Sequence, residues 1–521
     1  MLTAAAVLGW LAVHTEIVFA DGLRYIEQAR QLDRGDWHDG VRQAVDHPLY
    51  PLAVAVMHRA LGLSDSPHGW QAAAQGASLL AGVLLVVPLS LVARSLFGGS
   101  GAWLACLLVY LAPVPAHVMA DGLSESTFLL FWTWGVWAAL RFLRAGSLAW
   151  LGVALGFGGL AYLSRPEGLL LPAALVATLS LAPVVPAARL EPRRWWSAVL
   201  LLVLGATALV APFVALKGGI GTKPAVSRLL GLAPPSPRDA VERERPLDHE
   251  HSTLATAALA VRATTYAVRG AVTLPLLPFV VLGLAVAVRR RWATDARAWL
   301  FLGVVVVGSL LALARLHATG GYCTPRHALL VALPLFAAAA AGLRAVAAGA
   351  LRWLRHARAA ATTRQALDRL PGIAGLALLA LNVPALVEPV NEGRGGYREA
   401  GAWLAEHLPP GARVVDVTGW SLFYGERPGY VFANLDSAPA DPDLRWVVVR
   451  EAHLRGPWGY CERLRGLVEG ARPVARFPAD PRHGASRVTV YQRPAPGTAP
   501  ATARREEGAD HSPLRESARV R

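Results

Sequence analysis

The sequence predicts an α-helical polytopic membrane protein of about eleven transmembrane helices, followed by a C-terminal extracytoplasmic α/β domain. Three observations carry that prediction. Long apolar runs recur through residues 1–390 of the 521, and the chain is 54% hydrophobic with a mean hydropathy of +0.38. Arginines cluster in alternate short loops between those runs. After Val387 the pattern changes to an amphipathic helix and short strands.

The apolar runs place spans near 2–20, 70–92, 101–118, 126–141, 147–163, 167–186, 196–216, 271–288, 298–314, 328–349 and 371–387. The first is interrupted by His14 and Glu16 and has no charged n-region, so it does not read as a cleaved signal peptide. Retained arginines mark the cytoplasmic side. Arg94, Arg141, Arg144, Arg189, Arg193, Arg194, Arg289, Arg297 and Arg344 all follow even-numbered spans, whereas the short loops opposite hold only Arg165, Arg315 and Arg326. This puts the N-terminus in the cytoplasm and everything after Val387 outside, in a plasma membrane of bacterial type.

Two long external loops follow from that topology, residues 21–69 and 217–270. Gly22 to Arg34 is amphipathic, with Leu23, Ile26, Ala29 and Arg30 spaced to lie along the membrane surface. The loop 217–270 mixes Pro, Gly and charge, and loops that long are functional or mobile. Beyond the last span, residues 391–493 read as the α/β domain. Tyr397 to Leu408 is its helix, and Arg413–Val417, Leu444–Val449, Pro473–Phe477 and Arg487–Tyr491 are its strands. The tail 494–521 is Pro, Ala and charge, a composition expected to be disordered.

The net charge of +15 and pI near 10.5 do not indicate nucleic acid, because the arginines interleave with apolar runs instead of forming one basic face. Only Lys217 and Lys223 are lysines, a bias that reads as codon usage. Cys106, Cys323 and Cys461 lack metal-cluster spacing, although a Cys323–Cys461 disulfide is conceivable outside the cytoplasm. No phosphate-binding glycine loop, dinucleotide fingerprint or zinc-protease motif is present, so no soluble nucleotide donor is expected.

The residues that could carry chemistry gather on the outer side. Asp21 follows the first span, at the interface where a lipid-borne donor could meet a water-soluble acceptor, although it could equally cap the helix that follows. Asp121 and Glu125 are four apart at the start of the fourth span and would share a helix face, complementing its dipole or binding a ligand. Arg165 and Glu167 flank Pro166 between spans five and six, as an ion pair or a ligand contact. His47 and Tyr50 lie in His47-Pro48-Leu49-Tyr50-Pro51, where the histidine is a structural donor or a substrate contact. Arg326, in Thr324-Pro325-Arg326-His327 before a helix, suits a phosphate or anchors the helix. Lys217 and Lys223 flank Gly218-Gly219-Ile220-Gly221 and could also hold phosphate.

In this order, the motifs resemble the GT-C superfamily of polyprenyl-phosphate-sugar-dependent glycosyltransferases, with nearest likeness to protein O-mannosyltransferases and lipid A aminoarabinose transferases. Asp21-x-x-x-Tyr25 looks like the first-loop acidic motif, His47 to Pro51 the His/Pro-Pro-Leu-Tyr segment, Asp121 to Glu125 the second acidic loop, and Arg326-His327 the Arg-Tyr before a late span. Many members carry two adjacent acids in the first loop, whereas Gly22 follows Asp21 here. The resemblance implies that Asp21 acts as catalytic base and that a sugar moves, with inversion, from polyprenyl phosphate to an acceptor hydroxyl on a protein, lipid or glycan. It also implies that Arg326 stabilises the leaving phosphate, helped by Arg165, Lys217 or Lys223, and that Tyr25, His47, Tyr50 and Glu167 belong to the substrate site. Asp121 and Glu125 would orient sugar hydroxyls or hold a divalent ion. No prosthetic group is implied. The rival reading is a multi-pass secondary transporter, against which stand span interiors nearly free of charge and no repeat between halves.

Overall fold

A computed structural model of the chain describes residues 1–185, 188, 191–219, 227, 231, 253–320, 322–356, 377, 380–456, 459–478 and 487–494. The chain divides into two compact units, Met1–Arg398 and Glu399 onward.

The first unit is helical. Helix α1 spans Leu2–Val13, α2 Ala20–Asp33, α3 Trp37–Arg42, α4 Leu49–Ala60, α5 Pro67–Phe97, α6 Ala102–Tyr110, α7 Pro113–Ala120, α8 Glu125–Ala145, α9 Leu148–Ser164, α10 Leu170–Leu181 and α11 Pro192–Lys217. There follow α12 over Thr253–Val272, α13 over Leu277–Gly320, broken by non-helical backbone at Asp295, and α14 over Leu329–His356, before the short α15 over Val383–Val387. Among the described residues five helices are long and apolar enough to cross a membrane, or up to seven if each bent pair is one span. Three shorter apolar helices, Leu2–Val13, Leu148–Ser164 and Pro166–Leu181, accompany them.

Several expected spans take a different form. The first ends at Val13 instead of running to 20, because Glu16 turns back to accept the backbone N–H groups of Arg394 and Gly395. The third is a pair, α6 and α7, bent by 70° where Pro113 forces Ala112 into extended backbone. The eighth begins much earlier than 271: α12 occupies residues assigned to the second external loop and meets the next helical segment at an 86° bend. Thr273, with φ of +68°, and Pro275 make that break. Eight of the seventeen residues of the eleventh expected span, much of the loop 217–270, Lys223 and the tail from 495 lie outside the described residues.

Residues 21–69 are mostly helix rather than open loop. Helix α2 forms where expected, but its apolar face does not lie on lipid. Tyr25, Ile26, Ala29 and Leu32 are buried, and α2 packs on α4. At one end of the bundle Arg144 donates to both carboxylate oxygens of Asp295, at 3.0 and 2.9 Å, and to the Ser95 carbonyl at 2.7 Å. Three arginine-bearing loops that the sequence assigns to one side are thereby joined.

The second unit holds helix α16 (Gly396–His407, which begins just before the boundary), α17 (Trp420–Gly425), α18 (Glu451–Arg455) and α19 (Gly459–Val468). Its strands are β1 (Val414–Val415), β2 (Gly429–Tyr430), β3 (Trp446–Arg450), β4 (Arg472–Phe477) and β5 (Val488–Gln492), in the order β2-β1-β3-β5-β4. Strand β1 runs parallel to β2 and β3, while β5 is antiparallel to β3 and β4. Val415, Leu435, Val447, Val449, Leu464 and Leu467 form its core. Strand β2 is the one the sequence did not signal, being two half-buried residues beside Pro428. All three cysteines are free: Cys461 is fully buried among the core residues of its own unit, so the conceivable disulfide to Cys323 does not form.

Candidate active site

Seven side chains from five segments form a line of alternating charge. Asp46 accepts from Arg24 Nε at 2.9 Å, and Arg24 Nη1 lies 3.1 Å from Asp21 Oδ1. Asp21 Oδ2 accepts from Arg326 Nη2 at 2.7 Å, while Arg326 Nη1 faces Glu125 Oε1 at 3.9 Å. Glu125 Oε1 pairs with Arg165 Nη1 at 2.8 Å, and Arg165 Nη2 donates to Glu167 Oε1 at 2.8 Å. Residues 305 apart in sequence thus meet at one salt bridge.

Local sequence explains each placement. Asp21 is in the first turn of α2, where a carboxylate complements the helix dipole, but Phe19 is the N-cap, so the capping alternative does not hold. Arg326 sits in a single 3-10 turn, Pro325–Ala328, that leads into α14 and is fixed by the reciprocal cap between Thr324 and His327. Its guanidinium lies over the Phe19 ring, 4.4 Å from the centroid, a cation–π contact. Arg165 occupies the extended residue between α9 and the Pro166–Leu169 turn. Glu125 is the first residue of α8 and only 4% exposed.

Burial alone would raise the Asp21 carboxyl, but the charges of Arg326 and Arg24 and the Arg326 hydrogen bond outweigh it and hold the group below the ordinary carboxylate range. Asp21 and Arg326 remain 21% and 19% exposed, so both reach an accessible surface. Arg326 Nη1 is buried without a hydrogen-bond partner, which leaves one arm of the guanidinium with unspent donor capacity.

Asp121 and Glu125 do not share a helix face. Gly122-Leu123-Ser124 separates α7 from α8, and Asp121 is the extended residue after α7. Its carboxylate accepts Phe19 N–H at 3.1 and 3.2 Å, Gly122 N–H at 2.7 Å and Asn391 Nδ2 at 2.9 Å. Burial dominates over these donors and pushes its carboxyl up to about 6. Asp121 is therefore committed to holding backbone.

Tyr25 and Tyr50 lie beneath the charge line. Tyr50 is fully buried, donates to the Ala74 carbonyl at 2.9 Å and lies 2.9 Å from Ser78 Oγ; Tyr25 stands edge-on to it and accepts from Ser124 Oγ at 3.0 Å. Both are held in packing rather than presented to a ligand. His47 is stacked on Phe213 and edge-on to Tyr162, each at 4.9 Å between centroids. Lys217 ends α11 with its ammonium donating to the Ala44 carbonyl, beside the segment that carries Asp46.

Gly22 explains the missing second acid of the first loop. A Cβ at this position would stand 2.8 Å from the Gly122 carbonyl oxygen, so α2 packs its first turn directly on the Asp121–Gly122 turn. Sequence reasoning also missed Arg24, Asp46, Phe19 and Asn391 as members of the site. Glu16, a charge inside an apparently apolar span, was a signal that this stretch is not membrane; nothing marked Asn391.

The residues present do not fit a metal. Asp21 is neutralised by two arginines, Glu125 by Arg165, and Asp121 by backbone and amide donors. Among the described residues no three His, Cys, Asp or Glu side chains cluster as ligands.

Residues 46–215 match the family model of dolichyl-phosphate-mannose-protein mannosyltransferases, a segment that includes His47, Glu125 and Arg165 but neither Asp21 nor Arg326. Among solved structures, ArnT from Cupriavidus metallidurans bound to undecaprenyl phosphate aligns with a TM-score of 0.60 at 15% identity, covering 94% of this chain and 97% of that one. The Archaeoglobus fulgidus oligosaccharyltransferase in its apo form aligns at 0.59 and 12% identity, over 89% and 72% of the two chains. The archaeal oligosaccharyltransferase AglB from Archaeoglobus fulgidus, in complex with an inhibitory peptide and a dolichol-phosphate, aligns with a TM-score of 0.56 at 11% identity, over 88% and 67% of the two chains. No curated protein sequence matches the chain. The resemblance read from the motifs is thus met at two levels: the chain has a GT-C-like membrane fold, and its residues 46–215 carry the sequence pattern of the dolichyl-phosphate-mannose-protein mannosyltransferase family.

Proposed function

We propose that the chain is an inverting glycosyltransferase that moves a sugar from a polyprenyl-phosphate donor to an acceptor hydroxyl at the extracytoplasmic face of the membrane. The observation that carries this reading is the Asp21–Arg326 pair, one carboxylate and one guanidinium 2.7 Å apart at a partly accessible site. Asp21 takes the proton of the acceptor hydroxyl while that oxygen attacks the anomeric carbon from the face opposite the phosphate. The bond from the anomeric carbon to the phosphate oxygen breaks, and polyprenyl phosphate leaves as an anion. Arg326 donates to that anion and stabilises the charge as it develops.

The salt bridge also supports a switch in basicity. While paired, Asp21 is a poor base, because two arginines stabilise its ionised form. A donor phosphate competes with Asp21 for the partly exposed Arg326 guanidinium. Drawing the guanidinium toward phosphate weakens its hold on Asp21, so the base gains strength as the donor binds. Glu125 and Glu167 fix Arg165 in the same charge line, where it shares Glu125 with Arg326 and is a second guanidinium for the phosphate. Lys217 and Lys223 are the remaining cations proposed for the phosphate, and His47 a contact of the acceptor side.

The test is purified protein in proteoliposomes with a panel of labelled polyprenyl-phosphate sugars and hydroxyl acceptors. Label should move to an acceptor and leave the lipid; flux of a solute across the vesicle without any transfer would favour the transporter reading instead.

A further inference from the structure

Eight residues at the end of the first unit, 388–395, lie against the loop 14–19 that introduces Asp21, and nothing in the transfer chemistry requires them. The Val390 carbonyl accepts Glu16 N–H at 3.2 Å. Glu16 Oε2 in return accepts the N–H groups of Arg394 and Gly395 at 2.9 and 2.8 Å. Asn391 Nδ2 donates to two acceptors at once, the Ile17 carbonyl at 2.8 Å and Asp121 Oδ2 at 2.9 Å. Asp121 holds Phe19 N–H, and the Phe19 ring lies under Arg326 with Arg394 at 5.9 Å on the same ring. Asn391 has a φ of +58°, backbone that asparagine tolerates and most residues do not. The strained residue is the one whose amide joins three segments.

We propose that residues 390–395 form a clip, keyed by Asn391, that sets the position of Phe19 and Asp21 against Arg326. Asn391, Glu16 and Asp121 are then positioning residues, and the claim for catalysis rests on the transfer reading given above. Without the amide, Ile17 and Asp121 each lose a donor, the loop 14–19 gains freedom, and the Asp21–Arg326 distance is no longer fixed. Misplacing a reacting group by about 1 Å costs on the order of 100-fold in rate.

Asn391→Gly tests this, because glycine keeps the left-handed backbone and removes only the amide. The full-length protein is compared with the variant by hydrogen–deuterium exchange over residues 14–22 and by transfer kinetics with a polyprenyl-phosphate sugar. Faster exchange confined to that loop is expected, with kcat down about 10- to 100-fold, KM for the donor within about threefold, and the acid limb of kcat/KM, which reports the free protein, moved to higher pH. The limb moves because Asp21, which faces Arg326, Arg24 and, farther off, Asp46, loses part of the arginine charge that keeps it ionised. Unchanged exchange would overturn the clip; faster exchange with unaltered kcat and acid limb would overturn its role in positioning. Exchange is read without any activity, so a protein that clips as described yet transfers nothing in its native form contradicts the transfer reading alone. If Asn391→Gly fails to fold, Glu16→Gln, which weakens the acceptor of two backbone N–H groups, must give the same pair of changes or the proposal fails.

Discussion

Replacing Gly22 by alanine isolates how much the catalytic loop depends on close backbone packing. Two effects oppose each other. Alanine in place of glycine within a helix gains about 1 kcal/mol. The added Cβ, however, would stand 2.8 Å from the Gly122 carbonyl oxygen, where ordinary contacts begin at 3.4 Å, so about 0.6 Å must open between α2 and the Asp121–Gly122 turn. Overpacking of that kind costs about 1–3 kcal/mol, which leaves a net loss of roughly 0–2 kcal/mol. The displacement matters more than the energy, because Asp21 is the neighbouring residue and a shift of this size corresponds to about a tenfold loss in kcat. Gly156→Ala in α9 is the control, since a Cβ there meets nothing within 4 Å. Thermal unfolding in detergent and single-turnover transfer decide the matter. Gly156→Ala should be neutral or stabilised and fully active, and Gly22→Ala destabilised or unchanged but slower. If the two variants behave alike, the packing argument is wrong.

Three further predictions concern charge. Glu125→Gln removes the buried carboxylate shared by two partly buried guanidinium groups and should cost about 3 kcal/mol in unfolding free energy, whereas Glu167→Gln, at a more exposed partner of Arg165, should cost about 1 kcal/mol or less. Asp121 is an acid whose folded pKa is raised, to about 6, so its contribution to stability is full below about pH 4 and is lost as pH rises through 6; the unfolding temperature of wild type relative to Asp121→Asn should fall across that window. Asp21 is the opposite case. Its depressed pKa keeps it ionised below the ordinary carboxylate range, and Arg326→Lys, which loses the planar fork, should move the acid limb of kcat/KM upward.

Much of the helical frame was legible in the sequence because its signals are local. Apolar runs, Pro166 as a first helical residue and the arginines between runs give helix positions directly, whereas the break that Pro113 makes in the third span was not read. Five of the seven residues of the charge line were legible one by one, since Asp21, Glu125, Arg165, Glu167 and Arg326 each interrupt apolar sequence, whereas Arg24 and Asp46 lie in polar sequence and were not. Their pairing was not, because a contact across 305 residues leaves no trace in spacing. Asp121 and Glu125 were misread as one face because a four-residue interval looks helical unless the glycine within it is weighed. Tyr25 and Tyr50 fit a motif pattern, yet nothing in the pattern tells a buried hydroxyl bonded to Ser78 from one offered to a sugar. The clip at Asn391 was invisible for a related reason: one asparagine among the Glu, Arg, Pro and Gly of residues 388–395 has the composition of any linker.

The most direct test of the account is Asp21→Asn in the transfer assay, read together with binding of the released carrier, polyprenyl phosphate. Asparagine keeps the shape and a hydrogen-bond acceptor for Arg326 but cannot take a proton from a hydroxyl. The account predicts a loss of about 100- to 10,000-fold in kcat with carrier binding within a few-fold of wild type. Transfer at the native rate by a folded Asp21→Asn protein would contradict it.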